Sequence, residues 1–445
     1  VKVMQTETGK NGTKIKKQLG FAQTLTIVIG IVIGSGVFFK PSIVFKSAGA
    51  PGLGILAWVV GGIITMAAGL TVAELGAAIP KTGGLFAYLK ELYGEKCSFL
   101  LGWVQTVIYY PGTLAALAIV FVTQATFFIP MSDFNQKILA VFIAAMLTGA
   151  NIISTEFGGK IQFVSTIAKM LPIFIIIIFG LIKGTVHEFT PVVGSVSTAT
   201  GFGAAILGTL WAYDGWVSVG NVAGEIDNPA KNLPKSIVGG LSIVMIAYIG
   251  INLAVINVLP MESVIASKKA ASDVAVVLFG TGGAAFIAAG IMISIFGAMN
   301  AYILTGARVP LAMAQDGAVP FRSFFRKLSK SGTPINALIF QFVLSIAYIF
   351  TGSFDMLTNL VVFVLWIFFV LAVAGVFILR KKHQHLERPY KVPLYPLTPI
   401  IGIVGGVYIL ISTVFTDTKN ALCGIIVTLI GVPVYMYISK KQKQL

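Results

Sequence analysis

Apolar runs long enough to cross a bilayer recur along this entire chain, and no other feature constrains its fold as strongly. A hydrocarbon core of ~30 Å needs about 20 residues of helix, and inside it every backbone N–H and C=O must find an internal partner. Such runs fall at residues 20 to 46, 52 to 79, 97 to 129, 134 to 153, 160 to 182, 201 to 223, 236 to 259, 284 to 306, 335 to 351, 356 to 379, 397 to 415 and 420 to 438. The pattern predicts an all-α membrane protein of twelve transmembrane helices. With 56% hydrophobic and only 11% charged residues, an ordinary soluble globular protein is excluded.

The basic residues sort by loop. With both termini on the cytoplasmic side, 24 of the 32 Lys and Arg fall on cytoplasmic segments, seven on external ones, and Lys169 alone inside the membrane. That asymmetry follows the positive-inside rule and agrees with an even number of spans in a cell membrane. The net charge of +16 is therefore a topology signal; no aromatic or motif-like companions point to nucleic acid. Residues 1–18 read as a lysine-rich cytoplasmic tail without the apolar core and cleavage site of a signal peptide. Residues 439–445 form a second short tail. Cys97 and Cys423 lack metal or redox spacing and read as free thiols, and His187, His383 and His385 sit in loops, so neither metal nor cofactor is expected.

Inside the first run lies Ile-Gly-Ser-Gly-Val, Ile33 to Val37. Glycine costs a helix interior about 1 kcal/mol relative to alanine, and backbone at membrane depth leaves the helical state only where it is buried in protein or lines a polar cavity. A break here presents the amides of Gly34, Ser35 and Gly36 at the start of a second half-helix, where free donors and the dipole attract a carboxylate. Trp-Ala-Tyr-Asp-Gly-Trp, Trp211 to Trp216, interrupts the sixth run in the same way. Each break lies in the first span of a five-span block, the arrangement of an inverted repeat whose discontinuous helices meet at the midplane. The repeats would occupy 19–182 and 201–379, with 397–438 supplying helices 11 and 12.

Where the breaks meet, a small cavity suits a zwitterion. Its carboxylate would take the amides of Gly34, Ser35 and Gly36, and its ammonium the carbonyls around Val32, Trp211, Ala212 and Asp214. Asp214 has two readings, direct contact with the ammonium or capping of the second half-helix, of which capping is preferred. Trp211 is either an aromatic lid or a packing tryptophan. Tyr109, Tyr248, Ser294 and Asn300 are candidate cavity residues. Tyr109, Tyr110 and Pro111 disturb the third run, with packing around a proline kink as the competing account. Glu74, Gln105, Asn252, Asn257 and Gln341 read as interhelical hydrogen-bonding groups.

Lys169 lies nine residues past Lys160, on the order of 14 Å further along a helix. An ionisable group at that depth is by default a functional candidate. It is a fixed ammonium in place of a coupling cation, a titrating amine that carries a proton, or a lysine satisfied by helix-end carbonyls. Lys160 reads as an interface anchor.

Six motifs, in order along nearly the whole chain, resemble the amino acid-polyamine-organocation superfamily. They are Gly-Ile-Val-Ile-Gly-Ser-Gly-Val-Phe from Gly30, Ile-Pro-Lys-Thr-Gly-Gly from Ile79, Ala-Tyr-Asp-Gly-Trp from Ala212, Gly-Glu-Ile-Asp-Asn-Pro from Gly224 with Leu233-Pro234, Arg308 through Ala-Gln-Asp-Gly-Ala-Val-Pro ending at Pro320, and Glu-Arg-Pro-Tyr-Lys-Val-Pro from Glu387. Within that superfamily the chain is most similar to the L-amino acid transporter family and its bacterial serine/threonine exchanger branch. The resemblance implies a five-plus-five inverted repeat with discontinuous helices 1 and 6, working by alternating access. It implies that Gly34, Ser35 and Gly36 hold the carboxylate, that Val32, Trp211 and Asp214 supply ammonium-binding carbonyls, and that Trp211 is a gate. Lys169 matches the fifth-helix lysine that stands where sodium-coupled relatives keep an ion, which implies sodium-independent exchange and a tether between the first and eighth helices, with Ser294 as a candidate contact.

Two departures bear on partners and substrate. Animal light chains join a glycoprotein through a cysteine in the loop after the third span, and Phe128 to Phe134 contains none, so no disulfide-linked heavy chain is expected. Asp214 stands where many animal members have glycine. The expectation is an exchanger of small neutral L-amino acids such as serine, alanine, threonine and cysteine in a bacterial cell membrane. A proton-coupled symporter using Lys169 is the alternative. A sensor is disfavoured by the short stretch between the last run and Leu445. An enzyme is disfavoured because the spans hold no nucleophile-base pair, carboxylate pair or ligand cluster. A channel would need a ring of pore charges.

Overall fold

A computed structural model of the chain describes residues 20–79, 83–153, 155–319, 321–328 and 333–443, with side chains for all of these except 155–167, 221–225 and 441–443. The tail at 1–18, Pro80 to Thr82 of the second motif, the Lys160 side chain, Pro320 and the last two residues of the C-terminal tail lie outside the described residues.

Every regular element among the described residues is helical. In chain order they are α1 (Phe21–Val32), α2 (Gly36–Phe39), α3 (Pro41–Ala48), α4 (Pro51–Ala78), α5 (Leu85–Tyr93), α6 (Glu95–Val104), a π-helical turn at Gln105–Tyr109, α7 (Tyr110–Ala125), α8 (Asp133–Ile153), α9 (Thr155–Lys183), α10 (Ala199–Ala212), a 3₁₀ stretch at Trp216–Glu225, α11 (Pro229–Val258), α12 (Met261–Ala266), α13 (Ala270–Gly306), α14 (Arg308–Gln315), α15 (Arg322–Phe325), α16 (Ile335–Thr351), α17 (Phe354–Lys382), α18 (Leu397–Thr416) and α19 (Thr418–Lys443). Nine helical stretches among the described residues are long and apolar enough to cross a membrane. The remaining apolar helices are α9, α10 with its 3₁₀ continuation, and the 17-residue α16.

Local chemistry sets the boundaries. Gly49, at φ +69, closes α3 in a left-handed turn, and Pro51 then starts α4 at a position that needs no amide donor. Thr198 Oγ1 accepts from the Gly201 amide at 3.0 Å and caps α10. The helix expected at 284–306 begins at Ala270 instead and bends at Gly280. Gly280 has φ +69, a conformation that L side chains rarely adopt, so the glycine cluster that reads as a loop is a kink inside one long helix.

The third run is disturbed by a π-helical turn rather than by a simple proline kink. Pro111 has no N–H to give the Val107 carbonyl four residues earlier. The Tyr348 hydroxyl of α16 donates to that carbonyl at 3.0 Å, so the irregular turn carries its own satisfaction.

α1 and α10 lie in the middle of the molecule, α1 against α11 and α10 against α4; α4 also packs along α11, and α9 along α13. Large apolar side chains on α8, α18 and α19, including Phe142, Ile411 and Leu429, point outward as a lipid-facing surface requires.

The two ends of the bundle differ. At one, here the α3 end, Lys46, Lys137 and Lys268 surround a cavity. At the other, the α5 end, Lys90 pairs with Asp316 at 2.8 Å. There Glu74 is fully buried and is more than an interhelical hydrogen-bonding group: Arg380 of α17 grips it with bonds of 2.9 and 2.8 Å, and the Val392 amide adds a third at 2.7 Å. A buried carboxylate is tolerated only when paired and saturated in this way. Burial, with the Glu74 charge in second place, pushes the nearby Tyr390 hydroxyl up to about 12, so it stays neutral.

Candidate functional site

α1 stops at Val32, Ile33 turns extended at ψ 94, and Gly34 and Ser35 separate it from α2. An unbroken helix would bond the amides of residues 34 to 37 to the carbonyls of residues 30 to 33. The interruption frees both sets, and side chains from three other spans occupy most of the acceptors. Lys169 Nζ, on a fully buried side chain, donates to the Gly30 carbonyl and, at 2.6 Å, to that of Ile33. The Tyr248 hydroxyl reaches the Val32 carbonyl at 3.0 Å, and Ser294 Oγ reaches Gly34 O at 3.3 Å.

No acceptor among the described residues takes the amides of Gly34, Ser35, Gly36 or Val37. The Ser35 hydroxyl is 1% exposed and also unpartnered. The first break is thus filled on its acceptor side and open on its donor side. What this break offers is free amides rather than the dipole of a long helix, because α2 is a single turn of four residues before Pro41 restarts the helix.

The second break is the turn Tyr213 to Gly215, and the helix resumes beyond it as 3₁₀ rather than α. Gly215 has φ +100. The two breaks touch. A Cβ on Gly36 would lie 2.4 Å from Ala212 Cα, and one on Gly215 would lie 2.6 Å from Ile31 Cγ2, so glycine at each position permits the crossing. Tyr248 fastens the junction, its hydroxyl lying 3.0 Å from the carbonyls of both Val32 and Ala212.

Asp214 is not used as a side-chain cap of the 3₁₀ stretch. Its Oδ2 accepts from Tyr109 at 2.7 Å and from Tyr302 at 3.3 Å, in a nearly closed site. The carboxylate is hydrogen-bonded by phenols from neighbouring spans as well as by the adjacent Gly215 amide. Tyr109 therefore belongs to this acid, from the π-helical turn. Asn300 accepts from Asn151 at 2.8 Å, a bond between α8 and α13. Trp211, 7% exposed, packs edge-on against Phe354 with ring centroids 6.0 Å apart.

Two features of this neighbourhood escaped the sequence reading. Tyr302 gave no signal beyond being a tyrosine in an apolar run. Lys40 belongs to the external set in the loop count, yet it is fully buried, and its ammonium meets Asp355 Oδ1 at 2.8 Å and Thr358 Oγ1 at 2.7 Å. Its place inside the run 20–46 was the available signal.

Two interrupted helices thus meet inside an apolar helical bundle. Residues 19–435 match the amino acid permease family. The chain belongs to that family. This permease is 43% identical over 431 residues to the serine/threonine exchanger SteT of Bacillus subtilis (strain 168), covering 96% of its own length and 98% of that protein. It is 32% identical over 451 residues to the large neutral amino acids transporter small subunit 2 of Mus musculus, covering 97% and 82% of the two chains. It is 29% identical over 435 residues to the cystine/glutamate transporter of Homo sapiens, covering 96% and 86%. These relatives are transporters and exchangers, not enzymes, and the permease is an integral membrane protein of the amino acid-polyamine-organocation superfamily.

Proposed function

We propose that this permease is a sodium-independent exchanger of small neutral L-amino acids, with serine, threonine, alanine and cysteine as its substrates, working by alternating access in a bacterial cell membrane. The observation that carries the reading is the first break, whose freed carbonyls at Gly30, Val32, Ile33 and Gly34 are occupied while the amides of Gly34, Ser35 and Gly36 and the Ser35 hydroxyl stand free. Buried donors without acceptors are costly unless a ligand completes them. A carboxylate does so.

The ammonium then falls to carbonyls around Val32, Trp211, Ala212 and Asp214. Those of Val32 and Ala212 share the single proton of the Tyr248 hydroxyl, so each keeps at least one lone pair for a bound ammonium. With the α-amino acid moiety read by backbone, side-chain size is left to what surrounds it, and the bulk of Trp211, backed by Phe354, favours small groups. Lys169 serves as a fixed cation: both of its bonds go to the C-terminal carbonyls of α1, where a positive charge is favoured. Lys169 and Ser294 converge on the same break from α9 and α13, the tether that the family resemblance suggests.

The architecture that goes with this function is twelve spans with both termini cytoplasmic, two inverted repeats over 19–182 and 201–379, and two further helices over 397–438. Mirrored packing supports it. α4 lies against α11, α1 against α11 is matched by α10 against α4, and α9 against α13 is matched by α17 against α7.

The test is uptake of radiolabelled L-serine into proteoliposomes, with and without unlabelled L-serine inside, at equal pH and in sodium and sodium-free buffers. Uptake that requires internal amino acid and ignores sodium is the expected result. Concentrative uptake into empty vesicles under an inward proton gradient would replace exchange by proton symport.

A further inference from the structure

A cavity of about 370 Å³ lies at the α5 end, between α6, the π-helical turn, α14, α15 and α16, and no residue of the two breaks lines it. Ten of its eleven lining residues are apolar, and the other, Thr106, turns its hydroxyl to Met313 Sδ at 3.9 Å, so the walls suit a hydrocarbon and not a polar ligand. The cavity follows α6 into the membrane. Lys96, Phe99 and Trp103 share one face of that helix at spacings of three and four residues. Val107 lies a further turn along, about 16 Å from Lys96 at 1.5 Å per residue, which is close to half of a ~30 Å hydrocarbon core.

The far wall is fixed in place. Arg326 donates to the carbonyls of Ala314 and Gln315, both at 2.9 Å, and Asn336 Nδ2 donates to that of Phe324 at 2.8 Å, so α15 is held between α14 and α16. Phe325 packs edge-on against Phe340, ring centroids 5.4 Å apart. Phe321, at φ +58, is 79% exposed and Phe324 is 44% exposed. A bulky residue stays in the left-handed region only where its surroundings hold it there, and rings this exposed suit a membrane interface. Residues 321–328 carry three basic side chains and no acidic one. Arg322 and Lys327, and Lys96 one turn before Phe99, have no side-chain partner among the described residues.

We propose that this cavity holds an acyl chain of an anionic phospholipid from the leaflet at the α5 end, with the lipid phosphate on Arg322, Lys327 and Lys96. A lipid tail gains little by leaving other tails, so the basic rim decides which lipid stays. Thr106 and Val107 stand in the π-helical turn that also carries Tyr109, so the bound chain props the element that holds Asp214.

The test is quenching of Trp103 fluorescence in the reconstituted full-length permease, read as the difference between the parent and Trp103→Phe. Phosphatidylglycerol with brominated acyl chains is compared with phosphatidylcholine carrying the same chains, each as a minor component of unbrominated phosphatidylcholine vesicles. The brominated phosphatidylglycerol is expected to quench at a mole fraction roughly tenfold lower, and Arg322→Gln and Lys327→Gln each to remove up to about fivefold of that preference, the scale of one basic group at an anionic surface. Lys381→Gln and Lys382→Gln, at the end of α17, leave it unchanged. Val319→Phe, which fills the cavity, weakens quenching by both lipids, and the rim variants carry the test where it fails to fold. Equal quenching by the two lipids, or an equal loss in the Lys381 and Lys382 variants, would make the cavity ordinary lipid boundary and overturn the proposal. Trp103 shielded from both brominated lipids, as by a covering protein segment, would overturn it too. The readout needs no turnover and is independent of the substrate reading.

Discussion

At the first break, Ile33 to Ser35, the backbone is left open and other spans repair it: Lys169, Tyr248 and Ser294 take the carbonyls, and among the described residues nothing takes the amides. At the second, Tyr213 to Gly215, the chain closes its own turn. Tyr213 N–H bonds to Thr209 O at 3.0 Å, Asp214 N–H to Trp211 O at 3.3 Å, and Ser218 N–H to Gly215 O at 3.0 Å. Its unusual group is a side chain, the Asp214 carboxylate held by two phenols. The contrast assigns different work to two interruptions that look alike in sequence. In the proposed function the first completes itself on the substrate's carboxylate, and the second shapes the surroundings.

The contrast breaks most completely if the two are kept apart. Gly36→Leu puts a side chain where even a Cβ would sit 2.4 Å from Ala212 Cα, so α2 and α10 can no longer cross. Its cost falls at or beyond the top of the ~1–3 kcal/mol typical of overpacking, and exchange is lost. The loss comes from the crossing itself rather than from filling the carboxylate site. Thermal melting with serine exchange reads both effects, and normal uptake in properly inserted protein would remove the crossing argument.

Next in size is Lys169→Ala, which leaves the Gly30 and Ile33 carbonyls without their donor, at roughly 1–3 kcal/mol for each unsatisfied group. The protein still inserts, and exchange falls by about tenfold or more. Unchanged exchange kinetics would mean that the first break assembles without the lysine.

At the second break, Tyr109→Phe removes the shorter bond to Asp214 and Tyr302→Phe the longer. A several-fold rise in KM for serine, on the scale of about 1 kcal/mol, is expected for Tyr109→Phe and less for Tyr302→Phe. The reverse order would show that the phenols act on something other than the carboxylate. Smallest of all is Gly34→Ala, whose new methyl meets nothing closer than Ala298 Cβ at 3.6 Å. Melting is expected within ~0.5 kcal/mol of the parent and KM within about twofold. A collapse of uptake at unchanged stability would sharpen the comparison, by showing that the ligand sits directly against this residue.

Both breaks were readable in the sequence because glycine and polar residues inside an apolar run are local signals, and Gly34, Ser35, Gly36 and Gly215 stand where the helix does come apart. Lys169 was readable for the same reason. What fails locally is any judgement about partners. Asp214 read as a cap because aspartate at a helix start usually is one; the phenols that claim it come from residues 105 and 88 positions away. The first fourteen residues of α13 were lost to a glycine cluster that a loop and a kink share.

The membrane class, the run of apolar helices, the two interruptions and the buried lysine of α9 follow from the sequence alone, since hydropathy and glycine content act over a few turns of chain. Tertiary structure alone decided that Lys40 is buried with Asp355, 315 residues away, that Glu74 clamps Arg380 across 306, and that Gly36 meets Ala212. A charge in an apolar run declares that it needs a partner, and only the packing of helices determines which one comes within reach.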